Sequence, residues 1–315
     1  MHHADIAAFL NQKGGVGKTT SVANTGAGLA ILGKRVLLVD LDPQGHLTSF
    51  LGIGDDEVGG TSWDILRGAA DPEKTIVTRE LKARIHRGGD DSPVSMSVIP
   101  ASGGLTGARS ALAGAPAREF ILARALERIE GSYDHILLDC PPSLGLISTN
   151  ALAAAGRVFI PVQAEYLALQ SLEELMQRIE EVMTGLNPAL VIGGLIATRY
   201  DGRKVLCRDV LAGLRERYGA LVLDTVIREN IALAESPRYG RDIFSYRPRS
   251  YGMEDYLDLS LEILGRTAAA GSLFSVERGV ITSSGDGGRG ETGPEEVPGG
   301  SNGDSGSRND SVVVV

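Results

Sequence analysis

An apolar run, Ile6-Ala7-Ala8-Phe9-Leu10, is followed almost at once by Lys13-Gly14-Gly15-Val16-Gly17-Lys18-Thr19-Thr20, and no other feature constrains the fold so strongly. Three glycines let a backbone turn tightly enough to aim several amides at one point, and a helix starting just beyond adds the positive end of its dipole. The stretch therefore reads as a phosphate-binding loop between a strand and a helix. The ammonium of Lys18 suits terminal phosphates, and the hydroxyl of Thr19 suits Mg²⁺. The strict form of such a loop has a glycine five positions before Gly17. Here that position is Gln12, and an extra lysine, Lys13, lies inside the loop. The site is a variant one.

Through about residue 270 the sequence alternates short β-rich apolar runs with longer segments of helical period, the signature of a parallel sheet covered by helices. Strands are expected over 6–10, 35–40, 94–100, 135–139, 158–162, 191–198 and 221–227, and helices over 19–32, 117–129, 144–155, 171–184, 204–218 and 251–266. Runs such as Val36-Leu37-Leu38-Val39 are apolar throughout, as in strands buried on both faces. The fold class is α/β, a doubly wound, mainly parallel sheet flanked by helices. In such sheets ligands bind beyond the carboxyl ends of the strands. That end is where the loop, the run Asp40-Leu41-Asp42-Pro43-Gln44-Gly45 and the run Asp139-Cys140-Pro141-Pro142-Ser143 would gather.

The three acids supply what a phosphate loop lacks. An acid at a strand end can hold Mg²⁺ through its water shell, while another orients water for in-line attack on a γ-phosphate. Asp40, Asp42 and Asp139 are the candidates. Composition excludes other classes. With 315 residues, 43% of them hydrophobic, the chain can bury a full core. No apolar run approaches the roughly 20 residues of a membrane span, and Met1-His2-His3-Ala4-Asp5 lacks the features of a signal segment, so a cytoplasmic location is expected. Cys140 and Cys207, the only cysteines, form neither a CxxC motif nor a disulfide framework.

The net charge of -9 is unevenly spread. Residues 271–315 are Gly-rich and acidic, too poor in apolar side chains to offset their ordering entropy, and are expected to be a disordered tail after a domain spanning 1–270. Residues 199–249 hold ten arginines and one lysine against seven acids. A polyanion-binding face belongs there.

The segments KGGVGKTT, LDPQG, LDCPPSLGLISTNAL, IPVQAEYLAL and ENIALAESPRYGRDI, in this order over about residues 4–265, closely resemble those of ParA/Soj-type chromosome or plasmid partition ATPases, within the ParA/MinD group of variant Walker-loop ATPases. The resemblance implies that ATP and Mg²⁺ are the cofactors. By position, Lys13, Gly14, Gly15, Val16, Gly17, Lys18, Thr19 and Thr20 hold the phosphates, with Thr19, Asp40 and Asp139 around the metal. Asp42 matches the residue that positions the hydrolytic water. Lys13 matches the signature lysine that reaches the partner's phosphates across a nucleotide-sandwich homodimer. Hydrolysis is expected to be slow, stimulated by a centromere-binding ParB-type protein, and to loosen the acidic segments and the dimer.

The resemblance also implies that the ATP-bound dimer binds DNA without sequence preference, associating with the nucleoid. Arg203 matches one DNA-contacting position; the second falls at Ala232, leaving Arg199, Lys204, Arg228, Arg238 and Arg241 as substitutes. The family's Pro-Arg-Asn near the adenine is Arg228-Glu229-Asn230, so only Asn230 carries over as a base contact. A MinD-like membrane-positioning ATPase is the alternative, but it calls for a basic amphipathic C-terminal helix, and this C-terminus is acidic and Gly-rich. A metal-cluster carrier would need grouped thiolates, which two separated cysteines do not offer. A nucleotide-binding module that no longer hydrolyses sits poorly with intact Lys18, Asp42 and Asp139. The first strand begins within a few residues of Met1, so no operator-reading helix-turn-helix domain is expected before it.

Overall fold

The computed structural model describes residues 3–81, 93–165, 168–267, 274–277, 280–283 and 311–313. Its centre is an eight-stranded sheet of β1 (Asp5–Phe9), β2 (Val36–Asp40), β3 (Val77–Glu80), β4 (Ser95–Ile99), β5 (His135–Asp139), β6 (Arg157–Gln163), β7 (Val191–Tyr200) and β8 (Val222–Arg228). The spatial order is β3-β4-β2-β5-β1-β6-β7-β8. All neighbours run parallel except the edge pair β3 and β4.

Helices cover both faces: α1 (Lys18–Ile31), α2 (His46–Phe50), α3 (Ser62–Leu66), α4 (Ala108–Ala111), α5 (Ile121–Leu126), α6 (Leu146–Ala154), α7 (Ala168–Gly185), α8 (Val205–Tyr218), α9 (Ile231–Glu235), α10 (Ile243–Tyr246) and α11 (Tyr251–Thr267). The alternation of side chains along a strand divides the core in two. Ala8, Leu37, Val39, Ile136 and Leu138 pack with residues of α3, α5, α6, α7 and α8. Ala7, Phe9, Val36, Leu38 and Leu137 pack on the other side with α1, α2, α10 and α11. The three-layer, doubly wound architecture expected from the sequence is the one observed.

Register aligns the strand ends that matter. Asp40 at the end of β2 pairs with Asp139 at the end of β5, and Asp139 pairs with Phe9 at the end of β1. The glycine-rich loop and both acids thus leave the sheet side by side.

Two expectations are revised. The helix expected over 117–129 is a short 3-10 turn followed by six α-helical residues: Ala117 takes a left-handed φ of 46° at its start, and Phe120, at φ −113°, breaks the helix between the two pieces. Strand β3 has no counterpart among the expected strands; its sequence, Val-Thr-Arg-Glu, is half-exposed on an antiparallel edge and lacks the apolar run of a buried strand.

One backbone contact joins distant parts of the chain. Gly52, just after α2, and Gly240, after the turn that follows α9, both have left-handed φ, 65° and 61°. A Cβ on Gly240 would lie 2.9 Å from the Cα of Gly52, closer than side chains ever sit. Past Thr267 the described residues form three short strands, Phe274–Glu277, Val280–Ser283 and Ser311–Val313, which pair antiparallel with one another. The remainder of the expected disordered tail lies outside the described residues.

Candidate functional site

The loop after β1 takes the form its glycines allow. Gly15 and Gly17 have φ of 76° and 87°, in the left-handed region where a side chain is strained. A Cβ placed on Gly14 or Gly15 would meet nothing within 4 Å, so this rim of the loop opens into free space. Gly17 caps α1 without a side-chain hydrogen bond, and no acid occupies the first turn. The first amides of α1 and its positive dipole end are left to a ligand. The loop is anchored from behind. The Thr198 hydroxyl donates to the Val16 carbonyl at 2.8 Å, and the Asn11 side chain accepts from the Lys13 amide at 3.0 Å while donating to Pro161 O at 2.7 Å.

Lys18, at the start of α1, is buried and its Nζ reaches only the Lys13 carbonyl, at 3.4 Å. Burial lowers its pKa, and Asp139, Cys140 and Asp42 act against that shift. Asp139 is fully buried, and neither carboxylate oxygen has a hydrogen-bond partner. Its pKa lies well above the usual carboxylate range because burial, then Asp40, disfavours the charge; the Thr19 hydroxyl and Lys18 favour the ionised form without restoring it. Asp40 is better supported. Its Oδ2 accepts from the Thr48 amide at 2.8 Å and the Thr48 hydroxyl at 2.7 Å, and its Oδ1 accepts from the Asp42 amide at 3.1 Å. Burial nevertheless pushes its pKa up to about 6, against those hydrogen bonds. A buried cation and two reluctant carboxylates, one with no partner, are costly by themselves and well matched to a hydrated metal with phosphates.

Among the described residues no three His, Cys, Asp or Glu side chains are grouped to hold a metal by themselves. Thr19, Asp139 and Asp40 offer one hydroxyl and two carboxylates, the partial oxygen shell that Mg²⁺ completes with water and phosphate. The unpartnered Asp139 oxygens fit such an ion.

Two cavities flank the loop and share Gly15, Gly17 and Thr20. One, of about 530 Å³, is bounded by Lys18, Thr19, Asp42, Gln44 and Pro237 among others. Asp42 is buried at its wall and accepts from the Gln44 amide at 2.9 Å. The other, of about 370 Å³, runs between Arg199, Glu229, Asn230, Ile231 and Tyr256. Asn230 caps α9 by accepting from the Ala232 amide at 2.8 Å, which leaves its NH₂ to donate into that cavity.

Lys13 points elsewhere. Its ammonium pairs with the carboxylate of Glu165, both side chains being about half exposed. Glu165 falls inside the segment IPVQAEYLAL, where nothing local assigns it this role. Thr48 and Thr198 also carry no local signal: Thr48 is one of several hydroxyls near Asp40, and Thr198 acts on Val16, far away along the chain.

The basic candidates form a closed network rather than an open face. Arg203 pairs with both oxygens of Asp201, at 2.9 and 3.0 Å. Lys204 donates to Glu229 at 3.0 Å and lies 3.7 Å from Asp201, and Arg199 lies 3.8 Å from Glu229. Arg228 binds Asp255 and Glu254 and stacks over the Tyr251 ring at 4.3 Å. Ala232 is buried. Among the described residues no helix is long and apolar enough to cross a membrane.

Residues 4–192 match a family model described as an AAA domain. The chain is 43% identical over 259 residues to "Chromosome-partitioning ATPase Soj" of Treponema pallidum, a match covering 82% of this chain and 96% of that one. It is 44% identical over 258 residues to "Sporulation initiation inhibitor protein Soj" of Bacillus subtilis, covering 82% and 97%. Among solved structures, that of cobyrinic acid a,c-diamide synthase from Mycobacterium smegmatis with bound ADP and magnesium is similar with a TM-score of 0.68 and 36% identity, covering 82% of this chain and 92% of that one.

Proposed function

This chain belongs to the Soj/ParA family of chromosome-partitioning ATPases, and from that premise we propose that it is an ATP-driven partition switch. It binds ATP at the variant loop, dimerises around the nucleotide, holds DNA without sequence preference, and lets go after hydrolysis. One observation carries the reading: buried Asp139, with two unpartnered oxygens, lies beside buried Lys18 at the open end of a glycine cradle.

In this reading the amides from Gly14 to Thr20 surround the phosphates and Lys18 supplies positive charge to the terminal ones. Thr19 and Asp139 hold Mg²⁺, which neutralises phosphate charge when bound. Asp40, through Thr48 and the Asp42 amide, is a positioning residue that fixes the acidic segment. Asp42 orients the attacking water in the 530 Å³ cavity. The base lies in the second cavity, where the Asn230 NH₂ donates to it. Lys13 leaves Glu165 to reach the nucleotide of a second copy. A centromere-binding partner speeds the hydrolytic step.

Phosphate release with and without Mg²⁺, together with sedimentation in ADP and in a slowly hydrolysed ATP analogue, tests this. The expected result is Mg²⁺-dependent turnover and a dimer only with the triphosphate. Absence of both would end the proposal.

A further inference from the structure

Strand β7 changes course just before it ends. Along β6 it pairs residue for residue from Gly194 to Thr198, opposite Phe159 to Gln163. Along β8 it takes three steps from Ala197 to Tyr200 while its neighbour takes two, from Val226 to Arg228. The irregularity falls at Arg199, whose φ of 49° is left-handed, a state that among the described residues only Ala117 shares without being glycine. A bulge re-aims a side chain, and a left-handed arginine persists only where its surroundings hold it there. Both neighbours of Arg199 are fastened. Buried Thr198 donates its hydroxyl to the Val16 carbonyl of the glycine loop at 2.8 Å, and the Tyr200 carbonyl accepts from the Glu229 amide at 3.0 Å.

So held, Arg199 lines the 370 Å³ cavity together with Gly15 and Gly17 of the loop and with Asn230. Ile227, Leu233 and Tyr256 give that cavity apolar surface, and its cationic lining residues are Arg199 and Arg228. Arg228 is committed. It binds Asp255 and Glu254 and stacks over the Tyr251 ring at 4.3 Å. Arg199 has a single ionic contact, 3.8 Å from Glu229 and beyond hydrogen-bonding reach, and its side chain is about half exposed. A contact so long and so open yields readily to a ligand.

We infer that Arg199 is a nucleotide-binding residue, its guanidinium lying across the face of the base in this cavity. The inference rests on the reading that places the base there, and it moves Arg199 from the DNA-contacting candidates to the nucleotide site. A planar, delocalised guanidinium matches a flat aromatic face, which it attracts as a cation and covers as a plate. Asn230 meets the edge of the base while Arg199 meets its face, so the two contacts do not compete. The left-handed backbone is then the means by which a strand that pairs on both sides turns one side chain out toward the ligand.

The test is calorimetric titration of the wild type and Arg199→Gly, with Mg²⁺, against ADP and against inorganic tripolyphosphate, which has phosphates but no base. Glycine adopts a φ of 49° freely, so this variant deletes the side chain and leaves the bulge in place. Arg199→Gly should bind ADP about five- to tenfold more weakly and tripolyphosphate within about twofold of the wild type, as loss of a stacked cation predicts. Its thermal midpoint without ligand should not fall. Unchanged ADP affinity with a raised midpoint would make the arginine a strained structural residue and overturn the assignment. Equal losses for ADP and tripolyphosphate would place the guanidinium on phosphate and overturn the stacking. Unchanged ADP affinity with lost retention of duplex DNA, at a saturating ATP analogue, would return Arg199 to the DNA-contacting candidates. A wild type that binds tripolyphosphate but not ADP overturns the assignment while leaving the phosphate loop in place, and one that binds neither ends the nucleotide reading as well.

Discussion

The nucleotide end of the sheet and the cationic group around Arg203 carry comparable numbers of charged side chains in opposite states. At the first, Lys18, Asp40 and Asp139 are buried, shifted in pKa, and in the case of Asp139 unpartnered. At the second, Arg199, Arg203 and Lys204 lie at the surface, paired with Asp201 and Glu229. Burial without partners is tolerable only if something arrives to supply them, whereas exposed, closed pairs ask for nothing. The contrast separates a place whose charges call for a ligand from one whose charges already hold partners.

Removing charge at the nucleotide end should have the largest effects. Lys18→Ala should lower phosphate release by a hundredfold or more, about 3 kcal/mol at the transition state, measured at saturating Mg²⁺ and ATP. Near-normal turnover would remove Lys18 from the chemistry. Asp42→Ala should cut turnover to a similar extent yet keep ATP-analogue affinity within a few-fold, and sedimentation should show a dimer that persists in ATP. A variant that fails to bind nucleotide would make Asp42 a structural wall rather than the residue that orients water.

The buried acids also predict a pH dependence. Asp40 has a folded-state pKa of about 6 against an ordinary value of 3.8. Between these values the folded form holds more protons than the unfolded form, so the ligand-free protein is most stable below about pH 4 with respect to this group. It loses that stability as pH rises through 6. The effect is on the order of 3 kcal/mol. Chemical denaturation from pH 4 to 7.5 should show this slope, Asp40→Asn should flatten it, and Mg²⁺ with nucleotide should reduce it. An Asp40→Asn series with the wild-type slope would show that another group governs the titration.

At the surface the effects shrink. Glu229→Gln frees Arg199 and leaves Lys204 with Asp201 alone, and should raise DNA retention by no more than a few-fold, since exposed ion pairs contribute little. A tenfold rise would mean that the closed network is a brake on DNA binding rather than a bystander.

Much of this was legible in the sequence because it is local. All seven expected strands lie within two residues of the observed bounds at each end, and the glycine loop and its acids are continuous with strand ends, so placing β1, β2 and β5 also places Lys18, Asp40 and Asp139. The edge strand β3 and the left-handed Ala117 left no comparable pattern. What the sequence withheld was pairing at a distance. Nothing near Lys13 announces Glu165, nothing near Asp40 singles out Thr48 among nearby hydroxyls, and nothing near Arg228 announces Asp255. Counting cations singles out a basic stretch of the chain, but only the partners show which of those cations are paired.

The contact between Gly52 and Gly240 fastens the turn after α2 to the turn that follows α9. Between them stands no rotamer that could swing aside and no side chain that could compress. The turn after α2 and the turn beside Arg238 and Arg241 are set backbone against backbone, like two plates bolted face to face. Drift at either position is correspondingly costly, because even a single methyl group would act as a shim that sets the two plates apart.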